Sequence, residues 1–125
     1  MAANKLRGIR ILLVEDEIMI ALEIAEALKQ EGADVAGPFL TLEAAMAAAQ
    51  TEAIDLAILD IDLRGEEVFP AAELLRARGI PFLFYTGRPD REQLRGPFAT
   101  VPVCIKPLPT PKLLEALSKL LPIAA

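Results

Sequence analysis

Acidic residues gather at two places in this chain, and each time they follow an apolar run. The stretch AILDIDLRGEEV, Ala57 to Val68, passes from Leu56–Leu59 into Asp60 and Asp62, and ILLV is followed by Glu15, Asp16 and Glu17. Further on, Thr86-Gly87 follows FLFY, and Lys106-Pro107 follows VPVCI. Each piece alone has a bland reading. Acids favour the first turn of a helix, Asp-x-Asp and Thr-Gly are turn sequences, and Lys-Pro ends a strand. Brought together, they form a chemical set. Crowded carboxylates raise one another's pKa, and a hard divalent cation relieves the repulsion. Mg²⁺ takes oxygen ligands in an octahedron and keeps several waters. Glu15, Asp16 and Asp60 could supply such ligands, with a backbone carbonyl near Asp62. The lysine and the hydroxyl suit an anion such as a phosphoryl group, toward which Asp60 can act as a nucleophile. Gly87 would let its backbone N–H approach the phosphoryl oxygens. Metal and lysine together would neutralise the transferring group, which is most of what phosphoryl transfer requires.

This chemistry needs elements that deliver all four loops to one place. Five apolar segments alternate with helical patterns: Ile9–Val14, the weaker Asp34–Gly37, Ile54–Leu59, Pro81–Tyr85 and Val101–Ile105. The first, third and fourth are nearly continuous in apolar residues, as in strands covered on both faces of a parallel sheet. Glu17–Gln30 places Ile18, Leu22, Ala25 and Leu28 on one helical face and stops at Gly32. Thr41 can cap a helix reaching Gln50. Glu67–Arg78 ends at Gly79. Thr110 is expected to cap a last helix with Pro111 at its first position, and Pro122 stops it. Arg88–Thr100 is weaker, with about two helical turns in PDREQLR before Gly96-Pro97. A repeated βα pattern predicts an α/β fold, a doubly wound (βα)5 sandwich. Pro38, at the end of the second segment, and Pro102, within the fifth, push those two segments to the sheet edges, giving the order 2-1-3-4-5. Ligands in such a sheet bind beyond the carboxyl ends of the strands, at the switch point between strands 1 and 3. All four candidate loops open there.

Composition narrows the partners. The chain has 125 residues, 54% of them hydrophobic, enough for one domain with a real core. No apolar run approaches the ~20 residues of a membrane helix, and MAANKLRG is not a signal peptide, so a cytoplasmic location is expected. Net charge is −5 with 13 scattered Lys and Arg, which argues against nucleic-acid binding. The chain has no histidine. That excludes Ser-His and Cys-His catalysis and means the chain cannot itself carry a phosphohistidine. The one cysteine, Cys104, sits in an apolar run and reads as buried.

ILLVEDE, LAILDID, FYTG and CIKP, in this order, resemble the response-regulator receiver domain of two-component signalling, over nearly the whole chain. The resemblance implies a flavodoxin-like fold, with Glu15 and Asp16 as the acidic pair, Asp60 as phosphoacceptor, Thr86 as switch hydroxyl and Lys106 as the conserved-type lysine. It also implies a cis Lys106-Pro107 bond, Mg²⁺ (or Mn²⁺) and a partner histidine kinase. More narrowly, GEEVFPAAELLRARGIPFLFYTGRPD is similar to single-domain regulators paired with histidine kinases typical of alphaproteobacteria. Those carry Phe-Ala-Thr-Gly and then an aromatic, where this chain has Phe84-Tyr85-Thr86-Gly87-Arg88. The family often has an aromatic three residues before the lysine, and that place is held by Val103. The first acid is Glu15 where Asp is usual, a longer but still hard oxygen donor.

The expectation is a single receiver domain over 1–125, with a core of about 8–121 and no effector domain. It would be a monomer or weak dimer that signals through an unknown downstream protein or drains phosphate from a competitor. It would not be an enzyme beyond its own phosphorylation and dephosphorylation. Arg64, Glu66, Glu67 and Arg88 read as solvated or partner-facing. With Val103 in the aromatic's place, the signal is expected to leave through Gly87–Gly96, a segment with Leu94 as its main apolar anchor. Two other readings stand beside this one. A haloacid-dehalogenase-like phosphatase also uses Asp-x-Asp after a strand, but its second acidic pair follows the lysine. A phosphorylation-independent docking module would not need the complete acid, threonine and lysine set.

Overall fold

The computed structural model describes residues 5–122; residues 1–4 and 123–125, the ends of the expected single-domain span, lie outside the described residues. Five parallel strands form the sheet: β1 (Arg10–Val14), β2 (Asp34–Phe39), β3 (Leu56–Leu59), β6 (Phe82–Thr86) and β7 (Val103–Ile105). Their order is β2-β1-β3-β6-β7. The five apolar segments therefore take the expected order, with the two proline-bearing ones at the edges. A short antiparallel pair, β4 (Asp62–Leu63) and β5 (Glu66–Glu67), stands apart from the sheet.

The continuous apolar runs are explained by two cores. Side chains alternate across a strand, and both faces are covered. Ile11, Leu13, Ile58 and Leu83 lie under α1 (Ile18–Gln30) and α5 (Thr110–Ser118) with Ile24, Leu28, Leu113 and Leu117. Leu12, Val14, Leu59 and Phe84 face α2 (Leu42–Thr51) and α3 (Phe69–Ala77). Small residues, Ala45, Ala48 and Ala49 on α2 and Ala71 and Ala72 on α3, let these helices lie close. An aromatic group finishes this core: Phe98 stacks on Phe69 with centroids 5.5 Å apart and meets Phe84 edge-on at 5.5 Å.

Four local expectations are corrected. β2 continues through Pro38 to Phe39, with a register shift opposite Leu12–Val14. As an edge strand it can spare the proline's missing donor. Gly37 sits there at φ 110°, and a Cβ would come 2.8 Å from the Leu13 carbonyl oxygen, so the bend requires glycine. On α1 the buried positions are Ala21, Ile24, Ala25 and Leu28, while Ile18 and Leu22 are exposed at 47% and 53%. The i, i+3, i+4, i+7 stripe is thus set by Ala21 rather than by Ile18. The Thr110 hydroxyl does not cap α5; it donates to Glu23 Oε2 on α1 at 2.8 Å. Finally, α3 begins at Phe69 rather than Glu67, because Glu66–Glu67 pair with Asp62–Leu63.

Candidate functional site

Four strand ends and one turn build the site. Glu15 follows β1 directly, and its N–H donates to the Phe39 carbonyl at 3.0 Å. Asp60 follows β3, and its N–H donates to the Val14 carbonyl at 2.9 Å. Lys106 follows β7, and its N–H donates to the Thr86 carbonyl at 2.9 Å. Backbone pairing beyond the strand ends therefore fixes where these side chains start. The Lys106-Pro107 bond is cis.

The side chains converge. Lys106 Nζ lies 3.0 Å from Glu15 Oε1, 3.4 Å from Asp60 Oδ2 and 3.5 Å from Glu17 Oε1. Glu15 and Asp60 are buried, and Asp16 is half-buried. One carboxylate oxygen from each of Glu15, Asp16 and Asp60 falls within 4.8 Å of the others. Asp16 Oδ2 also accepts from the Arg64 N–H at 3.2 Å, so the β4–β5 turn, where Arg64 takes φ 52°, braces this acid. Thr86 is fully buried at the end of β6, and its Oγ1 accepts from the Arg88 N–H at 3.0 Å. Gly87 is exposed beside it. A Cβ there would lie 3.9 Å from the Lys106 Cβ, an ordinary contact.

The electrostatics follow from the crowding. Burial, then the charge and hydrogen bonding of Glu15, push the Asp60 carboxyl up to about 8, against the opposing pull of Lys106. For Lys106, burial acts downward. The hydrogen bond to Glu15 and the charges of Asp60, Glu15 and Glu17 outweigh it, and its pKa rises above the ordinary lysine value. One ammonium thus faces several carboxylates without neutralising them. Hard oxygen donors at this spacing, with excess negative charge, fit a Mg²⁺- or Mn²⁺-sized cation.

Asp62 behaves differently. Its carboxylate is engaged by Arg91 Nη2 at 2.5 Å, while Arg91 Nη1 reaches Glu67 Oε2 at 2.5 Å. The Arg91 hydrogen bond, foremost, holds the Asp62 carboxyl below its ordinary value. The group Asp62 has left to offer a metal is its backbone carbonyl. Arg91 was not marked by the sequence, where it sits in a stretch read as weak helix. Its meaning depends on the β4–β5 pair, which no apolar alternation announces. Glu67, read as solvated or partner-facing, is exposed like Arg64, Glu66 and Arg88, yet its carboxylate also forms half of this clamp. Around Arg91, α4 (Glu92–Arg95) is a single turn with no buried residue. Cys104 is half-buried, and burial raises its thiol pKa, consistent with an inert packing role.

The sequence match that decides the family runs from Ile11 to Leu117: the response regulator receiver domain. The chain belongs to this family. Among solved receivers, it is similar to SdrG of Sphingomonas melonis, at 38% identity over 96% of this chain and 98% of that one, with a TM-score of 0.76. It also resembles the receiver domain of the PhyR response regulator of Erythrobacter litoralis, at 25% identity, 95% and 98% coverage and a TM-score of 0.78. Among curated proteins, the transcriptional regulatory protein PdtaR of Mycobacterium tuberculosis is 30% identical over 84 residues, covering 66% of this chain and 41% of that protein. The uncharacterized transcriptional regulatory protein YbdJ of Bacillus subtilis is 30% identical over 89 residues, with 70% and 39% coverage. The receiver chain thus spans about two fifths of the length of these curated relatives. No helix among the described residues is long and apolar enough to cross a membrane.

Proposed function

We propose that this receiver accepts a phosphoryl group on Asp60 from the phosphohistidine of a partner histidine kinase. Asp60 Oδ attacks phosphorus in line with the departing imidazole nitrogen; the P–N bond breaks as the O–P bond forms, and the freed imidazole takes a proton from water. The observation that carries this reading is the buried Asp60 carboxylate held 3.4 Å from Lys106 Nζ, with Glu15 and Asp16 beside it. Lys106 balances charge on the incoming phosphoryl oxygens. Glu15, Asp16, Asp60 and the Asp62 carbonyl would hold Mg²⁺, with Mn²⁺ as a substitute, and the ion would supply charge neutralisation for the transferring group. The Thr86 hydroxyl, whose oxygen accepts from Arg88, keeps its own proton to donate to a phosphoryl oxygen, and the Gly87 N–H is a second donor.

The kinase requires a docking surface, and apolar side chains exposed near the site support one. Ile18, Met19 and Leu22 on α1 and Ile105 next to Lys106 are 47%, 76%, 53% and 54% exposed. Large apolar groups left in water near a reactive carboxylate favour a protein partner over a small substrate. The output is contact with a downstream protein or withdrawal of phosphate from a competing regulator, in the cytoplasm, by a monomer or weak dimer. The docking-module reading predicts no labelling at all. The phosphatase reading has no support, because the acidic pair precedes Asp60 and family membership is that of a signalling domain.

Incubating the protein with acetyl phosphate in Mg²⁺ and in excess chelator tests the reading. One phosphoryl group per chain in Mg²⁺ and a large loss of labelling in chelator are expected. Equal labelling in both overturns the metal role.

A further inference from the structure

β4 and β5 carry an electrostatic fault. Asp62 and Glu67 are paired residues of the antiparallel ladder, so two carboxylates face one another, an arrangement that destabilises a strand pair. Arg91 corrects the fault from a different part of the chain. Its side chain is only 10% exposed, and its guanidinium takes Asp62 with Nη2 and Glu67 with Nη1, both at 2.5 Å, while Nε donates to the Arg88 carbonyl at 3.1 Å. All three guanidinium nitrogens are used, in the fork geometry that a lysine cannot reproduce.

The two pieces joined in this way both lead back to the site. The hairpin follows Asp60, contains the Asp62 carbonyl, and braces Asp16 through the Arg64 N–H. The loop carrying Arg91 begins at Thr86 and Gly87, and before Phe98 its apolar hold on the core is the half-buried Leu94, because α4 has no fully buried residue. We infer that Arg91 is a positioning residue that locks the β4–β5 hairpin and the Thr86–Arg91 loop into one unit, so that a rearrangement at either is carried to the other. The inference builds on the phosphoacceptor reading for its consequence: ordering of the Thr86 loop would reach the hairpin's outer face. The lock itself is a property of the unphosphorylated protein.

The test is therefore made without phosphate or metal. Amide hydrogen exchange is compared among wild type, Arg91→Met and the charge-free set Asp62→Asn/Glu67→Gln/Arg91→Met. Arg91→Met is expected to speed exchange about tenfold or more both at 61–68 and at 86–95, leaving β1, α1 and α5 unchanged. The charge-free set, which removes the repulsion along with the clamp, is expected to restore protection at 61–68 while 86–95 stays loose. A structural role confined to the loop would move 86–95 only. That result, or a hairpin as loose in the triple variant as in Arg91→Met, overturns the inference. Apparent Mg²⁺ affinity, read by titration of amide chemical shifts, is expected to fall about threefold or more in Arg91→Met, and unchanged affinity would contradict positioning of the metal-side groups. Absence of phosphoryl labelling would defeat the phosphoacceptor reading and leave the exchange result standing.

Discussion

Asp60 is costly to the fold when no cation is bound. Its carboxyl, ordinarily near 3.8, is raised to about 8 by burial and by Glu15. A raised carboxyl means that the folded chain holds a proton the unfolded chain has released, so stability falls as pH rises from about 4 to about 8. Asp60→Asn removes that slope. At pH 8 without metal, the variant is expected to be more stable than wild type by at least ~1.4 kcal/mol, the equivalent of one pKa unit, in urea unfolding. Equal stability at both ends of this window would show that the carboxylate is relieved in some other way. Mg²⁺ is expected to stabilise wild type, by ~2.7 kcal/mol at a hundredfold excess over Kd, and Asp60→Asn much less. In the proposed reaction Lys106 would act through charge rather than coordination. Lys106→Ala is expected to slow labelling by acetyl phosphate ~10–100-fold, as loss of a charge-assisted bond of ~1.5–3 kcal/mol implies, while Mg²⁺ still stabilises the protein in thermal unfolding. Loss of that stabilisation would mean that the lysine organises the acids.

At the scale of elements, α1 serves two surfaces. Ala21, Ile24, Ala25 and Leu28 seal the core, and Met19 and Leu22 face water. Leu22→Lys and Met19→Lys are expected to leave stability within about 0.5 kcal/mol, as at ordinary surface positions. They should leave acetyl phosphate labelling intact and cut phosphotransfer from a cognate kinase ~10-fold or more. Equal loss with both donors would place the effect at the site instead of the docking face. The misplaced α1 stripe shows why sequence periodicity alone could not separate these surfaces: Ile18 and Leu22 satisfy a 3.6-residue repeat as well as Ala21 and Ile24 do. Packing against Ile11, Leu13 and Ile58 of the sheet and against Leu113 and Leu117 of α5 selects the inward set. The strands were far more legible, because burial on both faces leaves nearly uninterrupted apolar runs such as Ile11–Val14 and Phe82–Tyr85. The β4–β5 hairpin was illegible for the opposite reason. Its four residues carry three acids, and what holds it is an arginine 24 positions beyond Glu67.

For the molecule as a whole, the sheet order converts scattered residues into one site. Glu15 and Lys106 are separated by 91 positions yet hydrogen-bonded, because β1, β3 and β7 all end on the same edge of a parallel sheet. Proline at Pro38 and Pro102 was enough to assign the sheet edges, and the alternation of strand and helix was enough to assign the layers. The side-chain commitments were not: Asp62 was expected to offer its backbone carbonyl to a metal, and nothing in the sequence announced that Arg91 takes its carboxylate. Asp60 as the sole phosphoacceptor is the claim on which the account stands, and it is tested most directly by intact and peptide mass analysis of wild type and Asp60→Asn after incubation with acetyl phosphate and Mg²⁺. The account predicts one phosphoryl group on wild type, mapped to Asp60, and none on the folded variant; undiminished labelling of Asp60→Asn, or mapping to another residue, would contradict it.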